Sequence, residues 1–353
     1  MSAAALAGRV VPGGEAGAGA RPAAGLDARR ALQLALAGVW LLDGVLQYQP
    51  AMYTRAFPQM LAASAAGNPS VLAGPVTWDA ALVQHHLAAL NTVFATIQVL
   101  LGLGIALRPT VRAALAASVA WSLGVWWLGE GFGGILNGTA SPVAGAPGAV
   151  ILYALLAVLL WPADRAAGAP PFVAARAVGA RAARALWLVL WLSLAFFALT
   201  PANRAPGALS GALAGAAAGE PRWLAAVDHG AAALVSGQGL TAAVLLAVVF
   251  ALVAAGVFLP RRVGRATAGL AIVVAAVIWA VGQAFGMILA SGATDPNSGP
   301  LLILLALAYW PARAAVPASA PAALPAPPGW LEPAGARGGE PDGARGGEEE
   351  TAR

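Results

Sequence analysis

The sequence contains no cysteine and no lysine, only three histidines, and a charged fraction of just 10 %. Without cysteine there is no disulfide, thiol relay, iron–sulfur ligation or thiolate zinc site, so a redox role requires a bound cofactor. His85, His86 and His229 are too few and too clustered for the paired haem ligands of a large cytochrome core. The adjacent pair cannot both point at one ion, and no acidic residue stands at a helical ligand spacing from it. These histidines therefore read as interfacial residues, and no metal site is expected. A soluble domain carries roughly 25 % charge. Here 59 % of the 353 residues are apolar and fall in long runs, leaving too few polar groups to cover a water-facing surface. The solvent they call for is a bilayer.

What positive charge there is comes entirely from arginine, 20 residues in all. With abundant alanine and glycine, that bias fits a GC-rich bacterial genome. The net charge of +5 is scattered over short loops, which reads as a topological signal and excludes a nucleic-acid surface. Apolar runs predict spans at 31–49, 84–107, 113–132, 144–161, 183–200, 235–259, 267–287 and 298–310. With these spans 17 arginines fall on one side, and Arg55, Arg204 and Arg222 on the other. The positive-inside rule then places both termini in the cytoplasm and the loops at 50–83, 133–143, 201–234 and 288–297 outside. The setting this implies is a bacterial cytoplasmic membrane, crossed many times.

The two halves echo each other. WWLGEGFGGILNGTASP from Trp126 matches WAVGQAFGMILASGATDP from Trp279, with Trp126, Gly129, Phe132 and Gly133 recurring 153 positions later. Trp40 and Pro50 recur as Trp191 and Pro201, displaced by 151, and both halves close on Trp-Pro. The expected fold class is thus all-α, an integral membrane bundle of eight transmembrane helices in two tandem parallel four-helix repeats. Its expected parts are a disordered cytoplasmic arm (1–30), a first repeat (31–162), a cytoplasmic linker (163–182), a second repeat (183–311) and a disordered cytoplasmic tail (312–353). From Pro147 to Trp161 is 14 residues and from Pro300 to Trp310 is 10, so span eight is expected to lack about one turn. Gly129 with Gly133, and Gly282 with Gly286, have the small-xxx-small spacing of close helix packing.

Candidate site residues gather in the first half. An ionised aspartate in lipid costs about 2.5–3.5 kcal/mol on insertion scales, so Asp43 in span one should face the bundle and be paired, hydrated or protonated. Trp40, Asp43 and Gln47, at i, i+3 and i+7, share a helix face. Arg55, His85 or His86, and the amides Gln84, Asn91 and Gln98, are its expected partners. Glu130 closes span three. Its second-half match is Gln283, and that of Asp43 is Leu194. The predicted polar pocket comprises Asp43, Gln47, Gln84, His86, Asn91 and Glu130. Such a cluster serves either as a proton, ion or substrate site or as a polar lock on helix register. No catalytic nucleophile, Walker phosphate loop or dinucleotide fingerprint is present, so no intrinsic catalytic activity is expected.

LLGLGIALRPTVRAALAAS from Leu100 and WLLDGVLQYQP from Trp40 resemble the Gly-rich helix with its basic turn, and the first helix with its polar exit, of DoxX-like membrane proteins. Those are four-helix units, so the resemblance implies a fused pair. It also implies an accessory or redox-associated subunit near a quinone, working beside other membrane subunits. The alternative, suggested by the parallel repeats and buried acid, is a small-solute or proton-linked transporter with its polar site in the first repeat.

Overall fold

A computed structural model describes residues 27–165, 169–290 and 292–312. The expectations for the arm and tail, at 1–26 and 313–353, lie outside the described residues.

Among the described residues the chain is all-helical, with no strand. Helices α1 (Ala28–Gln47), α2 (Ala56–Ala63), α3 (Ser70–His85), α4 (Leu87–Ala106), α5 (Val111–Leu128) and α6 (Ala149–Leu159) precede α7 (Ala174–Val178). Then follow α8 (Ala180–Ala198), α9 (Pro201–Arg204), α10 (Ala208–Ala216), α11 (Arg222–Leu234), α12 (Gly239–Gly256), α13 (Arg261–Val277) and α14 (Ser298–Ala308). Five stretches, α4, α5, α8, α12 and Arg261–Ala290, are long and apolar enough to cross a membrane. α1 has the length but carries Arg29, Arg30 and Asp43. α6 and α14 have 11 residues each, about 16 Å at 1.5 Å per residue, less than a bilayer's hydrocarbon. Large apolar side chains such as Leu100, Val189, Phe196 and Leu245 stand exposed on the outside of the bundle, as a lipid-facing surface requires.

α1 packs along α4 and α5 against α6, while α8 packs along α12 and α13 against α14. α6 also meets α14. One continuous core runs through both, from Leu36 and Tyr153 to Trp191 and Leu305.

Three expectations are corrected. The stretches at 50–83 and 201–234 are not plain loops but contain α2, α3 and α9 to α11. Leu72, Val76, Ala80 and Val83 recur at helical spacing and form the buried face of α3. The linker is likewise folded: Phe172, Ala174 and Ala175 are buried, and α8 begins three residues before the expected boundary. Asp164 pairs there with Arg29 and, at 2.9 Å, with Arg176, whose guanidinium also meets Asp27 at 2.8 Å. The hydrogen bonds from Arg176 and Arg29 hold the Asp164 carboxyl below its ordinary range.

The third correction concerns the glycines and span eight. Gly133 and Gly286 lie beyond their helices in left-handed backbone, at φ 62° and 74°. A Cβ on Gly133 would sit 2.3 Å from the Pro147 carbonyl oxygen, and one on Gly286 would sit 2.6 Å from that of Pro296. Those two glycines admit the returning chain and do not pack helix on helix. Trp126 donates its indole N–H to Pro147 O at 2.7 Å, and Trp279 donates to Pro296 O at 2.8 Å. Pro296, not Pro300, therefore stands where Pro147 stands, and Asp295-Pro296 aligns with Ala146-Pro147 instead of Ser141-Pro142. Counted that way the final helix is not short: α6 and α14 are equal in length.

Candidate functional site

α1 turns Trp40, Asp43 and Gln47 inward, each only 2 % exposed. They form one wall of a cavity of about 460 Å³. α4 adds Phe94 and Gln98, α5 adds Trp121 and Gly124, and α6 adds Val150 and Tyr153. Met60 and Asp79, from α2 and α3, line a less buried side, and Thr294 and Asp295 reach in from the segment before α14. The cavity thus lies within the first half but is completed by the second.

Two of its acids, Asp43 and Glu130, each leave an oxygen unmet. Asp43 Oδ1 is buried without a hydrogen-bond partner. The Tyr153 hydroxyl lies beside that carboxyl and interacts with it at the limit of hydrogen-bonding geometry. Glu130 Oε1 accepts from Val150 N at 3.2 Å, capping the exposed N–H groups at the start of α6, while Oε2 is unpaired. Asp295 is held by its own turn, with Oδ1 accepting from Asn297 N at 2.7 Å and Oδ2 from Thr294 Oγ1 at 2.8 Å. Burial raises its carboxyl above the ordinary range. Among the described residues no arginine or histidine lines this space.

Of the residues expected at the pocket, Asp43, Gln47 and Glu130 meet there. Asn91 is fully buried behind Gln47: Gln47 donates to Asn91 Oδ1 at 2.5 Å, and Asn91 donates back to Gln47 O at 2.9 Å. That reciprocal pair fixes α1 against α4. Gln84 and His86 are exposed and do not join, because α3 ends at His85 and its buried face excludes position 84. His85 bonds to Ala81 O, and Arg55 is exposed, so neither serves as the expected partner of Asp43.

Asp79, Asp295 and Tyr153 were not among the expected site residues. Asp79 had a readable signal in the helical spacing of its apolar neighbours in α3. Tyr153 sits in the middle of an apolar run, where its ring stacks on Trp40 at 4.3 Å between centroids. Nothing local announces Asp295, whose place depends on two segments about 250 residues apart in sequence, tied where Gln49 donates to Ala293 O at 2.5 Å.

Chemically the cavity is a set of acceptors between aromatic walls. Phe94 and Trp121 meet edge-on at 5.6 Å beside the Trp40–Tyr153 stack. No three His, Cys, Asp or Glu side chains among the described residues converge closely enough to hold a metal ion. No protein family, curated protein or solved structure matches the chain.

Proposed function

We propose that this is a multi-pass membrane protein that binds, and carries, a small solute at the cavity of its first half. The observation that supports this most is the Asp43 carboxyl, buried with one oxygen unmet on the wall of a space large enough for a small molecule. A carboxyl placed only to lock helix register would have its hydrogen bonds made, as Gln47 and Asn91 have theirs.

The reading includes eight spans in two tandem parallel four-helix repeats, both termini in the cytoplasm, and a bacterial inner membrane as the location. The recurring Trp-to-Pro hydrogen bonds, the left-handed Phe132 and Phe285 that follow them, and the shared helix order support the duplication. The arginine distribution supports the orientation. Reporters fused after Arg181 and after Thr294 are expected to report cytoplasm and exterior respectively. A second reading, an accessory DoxX-like redox subunit near a quinone and beside other membrane subunits, is favoured by the aromatic walls alone.

The test is reconstitution. Proteoliposomes carrying the full chain are expected to accumulate the solute that copurifies with it, and Asp43→Asn to abolish that uptake while the protein still assembles. Full uptake by the variant would remove Asp43 from the mechanism, and a copurifying quinone would favour the second reading.

A further inference from the structure

The ionisable residues lining the cavity are Asp43, Asp79, Glu130, Asp295 and Tyr153, all of which become negative when they ionise. There is no cation among the described lining residues, so nothing in the wall would pair with an anionic solute, and any ionised carboxyl would repel it. Several donors on the wall are already used, while the Gln98 amide and the Trp121 indole remain open to a solute. Ser64 donates to Leu61 O at 2.7 Å, Thr294 to Asp295, and the Trp40 indole to Ser118 at 3.1 Å. Free acceptors remain: Asp43 Oδ1, Glu130 Oε2 and Gln98 Oε1 are all buried and unpartnered. Asp43 is 2 % exposed, so its unmet oxygen is a built feature of the wall and not a surface charge.

Size and shape narrow the class further. A space of about 460 Å³ falls in the range of small-molecule sites and far exceeds a bare ion, and the acids are not gathered as metal ligands. Trp40, Tyr153, Phe94 and Trp121 offer ring surface beside the carboxyls, the combination that recognises an ammonium group carrying apolar substituents. Asp79, only partly buried, lines the less enclosed side of the cavity.

We propose that the cavity binds an organic cation, a protonated amine or quaternary ammonium on a compact apolar or aromatic body, with Asp43 and Glu130 facing the charge. This rests on the cavity being a solute site, as argued above, and adds the class of solute.

Calorimetric titration of the purified full chain in nanodiscs tests it with three probes. These are benzyltrimethylammonium, its neutral carbon isostere neopentylbenzene, and a short-chain benzoquinone. Saturable binding is expected for the first alone, weakened at least tenfold by Asp43→Asn and unchanged by Asp228→Asn, an acid outside the cavity. Should Asp43→Asn fail to fold, Glu130→Gln serves, since glutamine already stands at the matching position 283. It too is expected to weaken the cation at least tenfold. If the isostere or the quinone binds as well as the cation, the cation inference is overturned while the solute site survives. If none of the three binds, the cation inference falls and the solute site loses its support. Cation binding indifferent to both Asp43→Asn and Glu130→Gln would place the cation elsewhere and overturn the assignment.

Discussion

The interior of residues 28–159 and that of residues 180–308 share a helix order but not a filling. Where the first has Asp43, Gln98, Glu130 and Tyr153, the second has Leu194, Phe250, Gln283 and Leu302 at displacements of 149 to 153. Leu194 and Phe250 are 1 % exposed, and Phe250 packs on Trp191 at 5.8 Å between ring centroids. Gln283 has both its groups engaged, donating to Ser298 Oγ at 2.8 Å and accepting from Gly299 N at 3.2 Å. Glu130, in contrast, leaves one oxygen unmet. The lesson is that this helix arrangement does not impose a cavity: apolar side chains close the same space where they are allowed to. The open, acidic space in the first half thus lacks the packing that would stabilise it, which is what the proposed solute site requires. The tryptophans of the two halves differ as well. Trp40 donates to Ser118, whereas the Trp191 indole N–H is buried with no partner.

The comparison can be broken by exchanging residues between the halves. Leu194→Asp puts an unpaired charge into a filled core and is expected to destabilise the protein by about 3–5 kcal/mol, read as a large loss of monodisperse protein after extraction. The reverse change, Asp43→Leu, is expected to stabilise the unliganded protein by about 1–4 kcal/mol, read as a higher Tm, while ending solute binding. If both exchanges destabilise equally, the two interiors are not alternatives of one design.

Much of the helical frame was legible, because long apolar runs have few other stable forms. Asp43 was legible for the same reason, as a charge interrupting such a run, and Glu130 through its glutamine counterpart. α3 and α11 lay within segments read as loops, since their apolar stretches are short and interrupted by polar residues, with Pro75 inside α3 as well, although the spacing of the buried face of α3 is helical. Asp295 could not be placed at all: a turn from one half entering the cavity of the other is a property of tertiary packing and leaves no local pattern. The Pro300 alignment misled for a related reason, because the hydrogen bond that identifies Pro296 joins residues 17 apart across a kink.

Smaller effects sharpen the account. Asp295 has its carboxyl raised by burial, so the folded state holds that proton more tightly than the unfolded state. Its stabilising share is full below the unfolded value of about 3.9 and fades as pH rises through the folded value. Asp295→Asn is therefore expected to raise Tm at neutral pH and to lose that advantage near pH 4. Asp164 works in the opposite sense: its folded value is depressed, so its ion pairs stabilise above about pH 4 and are lost on further acidification. Because the acids of these pairs are solvent-exposed, Arg176→Ala is expected to lower Tm only slightly. Melting curves of the two variants across pH 3 to 8, set against the parent, separate the two windows.

The most direct measurement uses the chain's lack of cysteine, which makes any introduced thiol unique. Gln98→Cys places it on the cavity wall and Phe250→Cys at the filled counterpart. Each is exposed, in membranes, to a trimethylammonium methanethiosulfonate and to a sulfonate of similar size. Gln98→Cys is expected to react with the cationic reagent at least tenfold faster than with the anionic one, and Phe250→Cys to react with neither. Equal reactivity at the two positions, or a faster reaction with the anion at position 98, would contradict the claim that the first half alone holds an open site for positive charge.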